Sequence, residues 1–293
     1  MLISKVLHTL LFQGLMHIFY HSLNQQNFNI PHQPISKKYY DKETSYQYMS
    51  EVIYPNWPAP QHIRAFTTIR TGGLSAAPFN SLNLGDHVGD APLIVEQNRE
   101  ILLNSAKLPE PPRWLSQQHG CRVIESLHWS AGECADGIVT NTLNHVCPVL
   151  TADCLPILLC NQQGDRIAAI HAGWRGLANG VVENAIASFG LNKQHIMAWL
   201  GPAIGPENFE VGEDVVNNFV QHDVIAKQAF KQTDDTHYNA DIYLLARQRL
   251  RASGVTDIYG GQFCTVNDPT RFFSYRRDNV TGRMASVIWI QPH

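Results

Sequence analysis

The stretch that decides the fold is "LPILLCNQQGDRIAAIHAG", Leu155 to Gly173. "LPILLCN" and "RIAAIHAG" are apolar runs of strand length, and "QQGD" between them is a hairpin-type turn. They read as two buried strands. Upstream, "ADGIVTN" and "CPVLTADC" are further short strands that end in polar residues. Downstream, "GLANGVVENAIASFG" has helical spacing from about Gly176 to Phe189, with Gly190 as its stop. "IMAWLGPAIG", "DIYGGQFCT" and "MASVIWIQ" read as strands. "GEDVVNNFVQH" and "ADIYLLARQRLRASG" read as helices, the second capped by Asp241 and stopped by Gly254. Nearer the N-terminus, "HIRAFTTIRTGG" alternates as a strand does and halts at Gly72-Gly73. "APLIVEQNREILLNSAKL" is a helix closed by Pro109, and "RWLSQQHGCRVIES" is two strands broken at His119-Gly120. Hairpins mixed with strand–helix alternation indicate α+β, or α/β with a mixed sheet. No linker or repeat interrupts the chain from Trp57 onward, so residues 49–293 are expected to form one domain.

The composition is globular, with 44% hydrophobic and 16% charged residues. The net charge is -3 and no basic stripe is present, which argues against nucleic acid as a partner. Cys121, Cys134, Cys147, Cys154, Cys160 and Cys264 show no disulfide-framework spacing and no C-x-x-C pair, which fits a reducing cytoplasm. The start, "MLISKVLHTLLFQGLMHIFYH", is broken by His8, Gln13 and His17, too interrupted for a membrane span or a signal peptide. Residues 1–48 are expected to be a poorly ordered, dispensable extension, with Met49 just ahead of the globular pattern.

Chemistry concentrates around the hairpin. Cys154 precedes its first strand, and His171 ends its second in the glycine-flanked "HAGWRG". Cys and His suit zinc, and a catalytic zinc needs three protein ligands with one open position. His119 in "SQQHG" is the best third candidate. On spacing alone the trio reads equally as a buried thiol with two hydrogen-bonded histidines. The same residues also allow a nucleophilic Cys154 activated by His171 or His119, with Asp153 orienting the histidine. Arg70, beside Thr71-Gly72-Gly73, and Arg175, beside Trp174 at a helix start, are candidate anion-binding residues or plain surface arginines. "FFSYRRD", Phe272 to Asp278, either stacks a base through an aromatic such as Tyr275 or is a strand packed on the core.

Taken together, "TADCLPILL", "HAGWRGLANGVVENA", "GPAIGPENFEVGEDV" and "FFSYRRDNVTGRMASVIWI" resemble the YfiH-like family. That family is known as the multicopper polyphenol oxidase or laccase domain and as a purine nucleoside phosphorylase family. "TTIRTGGLSAAPFNSLNLGDHVGD", "QQHG" and "ADGIVT" fit the same order, and the resemblance spans about Trp57 to Ile290. It implies a single-domain α/β sandwich. It also implies one zinc on two histidines and a cysteine, matching His119, Cys154 and His171. The implied activities are phosphorolysis of adenosine, guanosine or inosine and methylthioadenosine, deamination of adenosine, and a role in editing cell-wall precursors. The substrates would be a purine nucleoside and phosphate. Copper is disfavoured, because a multicopper centre needs paired H-x-H ligands and none occurs. Zinc lowers the pKa of a bound water to roughly 7, which suits deamination. Phosphorolysis needs an anion site instead, for which Arg70 and Arg175 are the candidates, with Trp174 and Tyr275 beside the substrate. Asp136 and Asp153 are candidate proton carriers or partners of the histidines. A Cys–His amide hydrolase using Cys154, and a non-catalytic protein with a structural metal, remain the alternatives. The oligomeric state is open, a monomer being compatible.

Overall fold

The computed structural model describes residues 51–190 and 195–292; the extension expected over residues 1–48 lies outside the described residues. In chain order the elements are β1 (Val52–Ile53), β2 (Ile63–Thr68), α1 (Pro92–Ser105), β3 (Val123–Glu125), β4 (Gly137–Thr140), β5 (Cys147–Thr151), β6 (Leu155–Asn161), β7 (Ile167–Ala172), α2 (Trp174–Ala178), α3 (Val181–Ala187), β8 (Ile196–Leu200), β9 (Glu210–Gly212), α4 (Glu213–Val220), β10 (Phe230–Gln232), β11 (His237–Ala240), α5 (Ile242–Ala252), β12 (Asp257–Gly260), α6 (Tyr275–Asp278) and β13 (Met284–Ile290).

The β6–β7 hairpin is the centre of a six-stranded sheet ordered β12-β8-β6-β7-β4-β3, with its outer pairs parallel and its inner pairs antiparallel. A four-stranded antiparallel sheet, β1-β2-β13-β5, packs on one face of it. Side chains alternate along β6 and divide between two cores. Leu158 and Cys160 meet Val149, Ile288 and Ile290 of the smaller sheet. Ile157 and Leu159 meet Leu177, Val181, Ile186, Leu245 and Leu250 of the helices. Every residue of β6 and β7 is buried because both faces of the sheet are covered, which explains the unbroken apolar runs. Helix α1 covers the outer face of the smaller sheet through Leu102, against Phe66, Val287 and Trp289. A third, small sheet, β10-β11-β9, borders α4. The described residues lie in one compact unit and form an α+β sandwich in which the six-stranded sheet is mixed and the other two are antiparallel. No helix among them is long and apolar enough to cross a membrane.

Three local expectations are corrected. The single helix expected over 176–189 is two: α2 begins earlier, at Trp174, and Gly180 at φ +97° breaks the chain before α3. Val181, Val182 and Ala185 carry the apolar pattern across the break, so periodicity alone could not reveal it. "FFSYRRD" is not a strand. Ser274 Oγ accepts from the Arg277 N–H and starts the four-residue helix α6. The first strand expected in "RWLSQQ" is a lone bridge, Ser116 to Cys134. Here the Gln117 side chain donates to the Leu150 carbonyl and accepts from the Leu150 N–H, so a side chain takes the partner role that a strand would have filled beside β5. The caps of α5 agree with expectation: Asp241 accepts from the Leu244 N–H, and Gly254 follows the helix at φ +88°.

Candidate metal centre and cleft

The hairpin geometry sets the site. Cys154 stands just ahead of β6, and His171 is near the end of β7, opposite Pro156 in the register. The two residues are thereby presented at the same edge of the sandwich. His119 arrives from the loop before β3 with φ +57°, and Asp153 holds φ +86°. Such left-handed conformations at non-glycine residues cluster where a site fixes its side chains.

Asp136 organises the centre. It lies directly across from His171, whose backbone N–H donates to the Asp136 carbonyl at 2.7 Å. Its carboxylate accepts from His171 Nδ1 at 2.8 Å. The same carboxylate accepts the backbone N–H groups of Gln118 at 3.2 Å, His119 at 2.9 Å and Gly120 at 2.7 Å. One buried side chain thus holds both histidines, one by its ring and the other by its backbone. Because a carboxylate only accepts, Nδ1 of His171 carries the proton and Nε2 is left as the donor atom toward Cys154. Burial works against ionisation of Asp136, but the bonds from His171 and from the loop N–H groups outweigh it and hold its pKa below the ordinary carboxylate value.

The donor atoms of His119, Cys154 and His171 lie within 4.8 Å of one another and could hold a metal ion. Cys154 Sγ is 3.8 Å from His119 Nε2. A tetrahedral zinc with its usual bond lengths would set a sulfur–nitrogen distance of about 3.5 Å, close to the separation of this pair. Burial raises the Cys154 thiol, yet His171 and His119 together pull it below its ordinary pKa, as a thiolate ligand requires. The glycines of "HAGWRG" are explained by close approach. A Cβ on Gly173 would stand 2.9 Å from His119 Cδ2 and 3.2 Å from Cys154 Sγ, and one on Gly176 would meet the Gly120 carbonyl at 2.5 Å.

The trio opens into a cleft of about 380 Å³. Trp174, Ile204, Phe209 and Tyr275 give it apolar walls, and His87, Arg276 and Arg283 supply its polar groups. Asp153 ties this wall together without touching either histidine. It accepts from Thr265 Oγ1 at 2.5 Å, Ser274 Oγ at 3.0 Å and the Arg276 N–H at 2.6 Å. Of the residues singled out from sequence, His119, Asp153, Cys154, His171, Trp174 and Tyr275 line the cleft, and Asp136 supports it from behind. Arg70 and Arg175 do not line it. Arg70 donates to the carbonyls of Asn80 and Pro269 and stacks over Phe273. Arg175 is exposed with its guanidinium 4.3 Å over the Trp174 ring, on a helix of five residues. His87, Arg276 and Arg283 were missed. The sequence signal for Arg283 is an arginine after a glycine at the entry to the last strand, a feature no stronger than the one that favoured Arg70.

A two-sheet sandwich flanked by helices, with a Cys/His/His set at the mouth of an apolar cleft, defines the class of protein. A family model described as multi-copper polyphenol oxidoreductase laccase matches residues 64–291, and the chain belongs to that family. It is 50% identical over 243 residues to a Haemophilus influenzae protein named purine nucleoside phosphorylase, covering 82% of this chain and 100% of that one. It is 51% identical over 243 residues to an Escherichia coli protein named purine nucleoside phosphorylase YfiH, covering 83% of this chain and 100% of the relative. A Neisseria meningitidis crystal structure matches with a TM-score of 0.79 at 45% identity, over 82% of this chain and 99% of that one.

Proposed function

We propose that this chain is a zinc-dependent purine nucleoside phosphorylase, acting on adenosine, guanosine or inosine and methylthioadenosine, with adenosine deamination as a second reaction of the same cleft. The observation that carries the reading is the union of a three-donor metal set with an apolar cleft of nucleoside size. The names of the relatives at about half identity support it. One mixed Cys/His cluster is found among the described residues, which suits a single zinc better than several coppers.

In phosphorolysis a phosphate oxygen bonds to ribose C1′ as the C1′–N9 bond breaks. The electron pair leaves with the purine, which takes a proton, and the products are the free base and ribose 1-phosphate. Zinc held by His119, Cys154 and His171 would supply Lewis-acid polarisation and a lowered pKa for a bound water. The rest of the work falls to side chains. Trp174, Phe209 and Tyr275 offer faces for the purine. Asp136 fixes the His171 tautomer, and Asp153 holds Tyr275 and Arg276 in place through Ser274 and the Arg276 N–H.

That last role gives a prediction. Asp153→Asn keeps the left-handed backbone, which Asn tolerates, but loses charge-assisted acceptance from Thr265 and Ser274. The nucleoside KM is expected to rise about tenfold with metal content unchanged, read by steady-state kinetics beside elemental analysis. Loss of metal with KM unaltered would contradict the role.

The reading itself is tested by chromatography of adenosine incubated with the purified chain, with and without phosphate. Adenine and ribose 1-phosphate that appear only with phosphate support phosphorylase; inosine formed without phosphate reports deamination. Absence of both overturns the proposal. A second reading rests on a specific observation: Asp136, His171 and Cys154 form a line in which a thiol is lowered toward thiolate, as in a Cys–His amide hydrolase. A metal-free active chain inactivated by stoichiometric alkylation of Cys154 would favour it. The second imidazole on the same sulfur, from His119, is superfluous to a nucleophile and fits a ligand set.

A further inference from the structure

We infer that the Nε and Nη2 edge of Arg283 forms an oxyanion subsite at the end of the cleft beside His87, and that its occupant is inorganic phosphate taken as a co-substrate. The inference deepens the phosphorylase reading and rests on it for the identity of the anion.

Most arginines near the cleft are already occupied. Arg70 has given its guanidinium to two carbonyls and an aromatic face. Arg276 lines the cleft, but its Nη1 and Nη2 donate to the carbonyls of Asn208 and Glu210. Arg277 donates to the carbonyls of Thr265, Val266 and Phe272 and to Asp278. Arg283 is different. Its Nη1 donates to the carbonyls of Thr281 and Gly282 at 3.0 Å each, which fixes the plane of the guanidinium. Among the described residues no protein acceptor meets Nε or Nη2, and no carboxylate lies within ion-pair distance. The edge left over has two parallel N–H groups, the fork that matches two oxygens of a phosphate or carboxylate.

The position is as specific as the chemistry. Arg283 is half-buried and lines the same cleft as the metal ligands. Its backbone is locked by the N–H bond to Asn83 Oδ1 and by its carbonyl, which accepts from Leu84 N–H. The side chain crosses Gly85 so closely that a Cβ there would stand 2.7 Å from Arg283 Cγ. A cation carried this far from water without a bound partner is costly, and an anion arriving from the cleft relieves that cost. The carboxylate of Asp153 contributes at a distance, but it already accepts from three donors on the far wall. Cys154 also acts on Arg283 at a distance, but its sulfur belongs to the three-donor set, and Asp136 is committed to His171 and the loop N–H groups behind it. Arg276 and Arg283 are both cleft arginines without a carboxylate in ion-pair contact, and what distinguishes Arg283 is that all of its guanidinium bonds are made by Nη1. His87 lines the same end, with Nδ1 held 3.5 Å from Asp86.

The test uses the metal-loaded full chain, its Arg283→Gln variant and, because Arg283 is partly buried, a second variant at the exposed His87, His87→Gln. Initial rates are measured with phosphate varied at saturating adenosine and the reverse. Calorimetric titration with inorganic phosphate is run without nucleoside. The expected result is a phosphate KM raised about tenfold or more in Arg283→Gln and a few-fold in His87→Gln, with the adenosine KM within about twofold of the parent in both. The heat of phosphate binding should be lost in Arg283→Gln. If phosphate binds the parent chain in an Arg283-dependent way but no nucleoside is turned over, the subsite stands and the phosphorylase reading falls. If adenosine is phosphorolysed with the same phosphate KM in the parent and in Arg283→Gln, the subsite is overturned and the reading stands. Absence of phosphate binding by the parent chain overturns the subsite. So does an Arg283 dependence confined to adenosine 5′-monophosphate, which would assign the fork to a phosphate borne by the substrate.

Discussion

Replacing Cys154 with alanine is expected to strip the chain of its metal and to lower nucleoside turnover by about a thousandfold or more. Loss of residues that merely orient a ligand costs roughly 10–100-fold in metal affinity or activity, and a ligand itself contributes more. Cys154 is the single thiolate of the set, so its removal leaves two imidazoles with no negative donor at the ion. The fold should survive. Cys154 is half-buried just outside β6, and the neighbouring Leu155 to Asn161 strand is held on both sides by β7 and β8. A thermal midpoint within a few degrees of the parent, beside metal content near zero, is the expected pair of observations. A stable Cys154→Ala protein that keeps stoichiometric metal would contradict the ligand assignment.

The second large effect is at Asp136. Asparagine has nearly the same shape but puts an amide where one carboxylate oxygen accepted. The loop N–H groups of Gln118, His119 and Gly120 and the His171 ring all point donors at that side chain. Donors would then face donors in a buried position, a conflict worth about 1–3 kcal/mol. His171 would also lose the partner that fixes its tautomer. Asp136→Asn is therefore expected to lower metal affinity by roughly 10–100-fold and to reduce stability together. The pH dependence follows from the same contacts. The folded pKa of Asp136 is depressed, so its contribution to stability is fully present above its unfolded value near ~4 and is lost as pH falls through the lower folded value. Denaturant titrations across that acid window should show the parent losing this increment and Asp136→Asn lacking it throughout. An Asp136→Asn chain with parent-like stability and metal affinity would remove Asp136 from the centre.

These two residues also show what the sequence could convey. Cys154 and His171 flank a hairpin whose two strands are buried on both faces, so the apolar runs and the turn between them were legible, and with them the shared edge of the two side chains. Asp136 was legible as one of two candidate partners of the histidines, with nothing in the sequence to choose it over Asp153. Its importance comes from the β4–β7 register, which places it across from His171, and from a loop that curls three N–H groups onto it. The anion-binding residues were the least legible. Arg70, Arg175 and Arg283 all sit beside glycines, and local sequence cannot say which guanidinium finds carbonyls elsewhere in the chain. Arg70 finds Asn80 and, 199 positions away, Pro269; Arg283 lines the cleft and bonds carbonyls of its own turn through Nη1 alone. The break at Gly180 was hidden for a related reason, since the core asks only for apolar groups on both sides of it and both sides supply them.

The central claim is that one metal on His119, Cys154 and His171 supports phosphate-dependent cleavage of a purine nucleoside. The most direct measurement is adenine released from adenosine and phosphate by the chain as purified, after chelation, and after return of zinc, with metal counted by elemental analysis in each state. The account predicts one zinc per chain, release of adenine with ribose 1-phosphate, loss of both on chelation and recovery on zinc return. Undiminished release from a chain shown to be free of metal would contradict it.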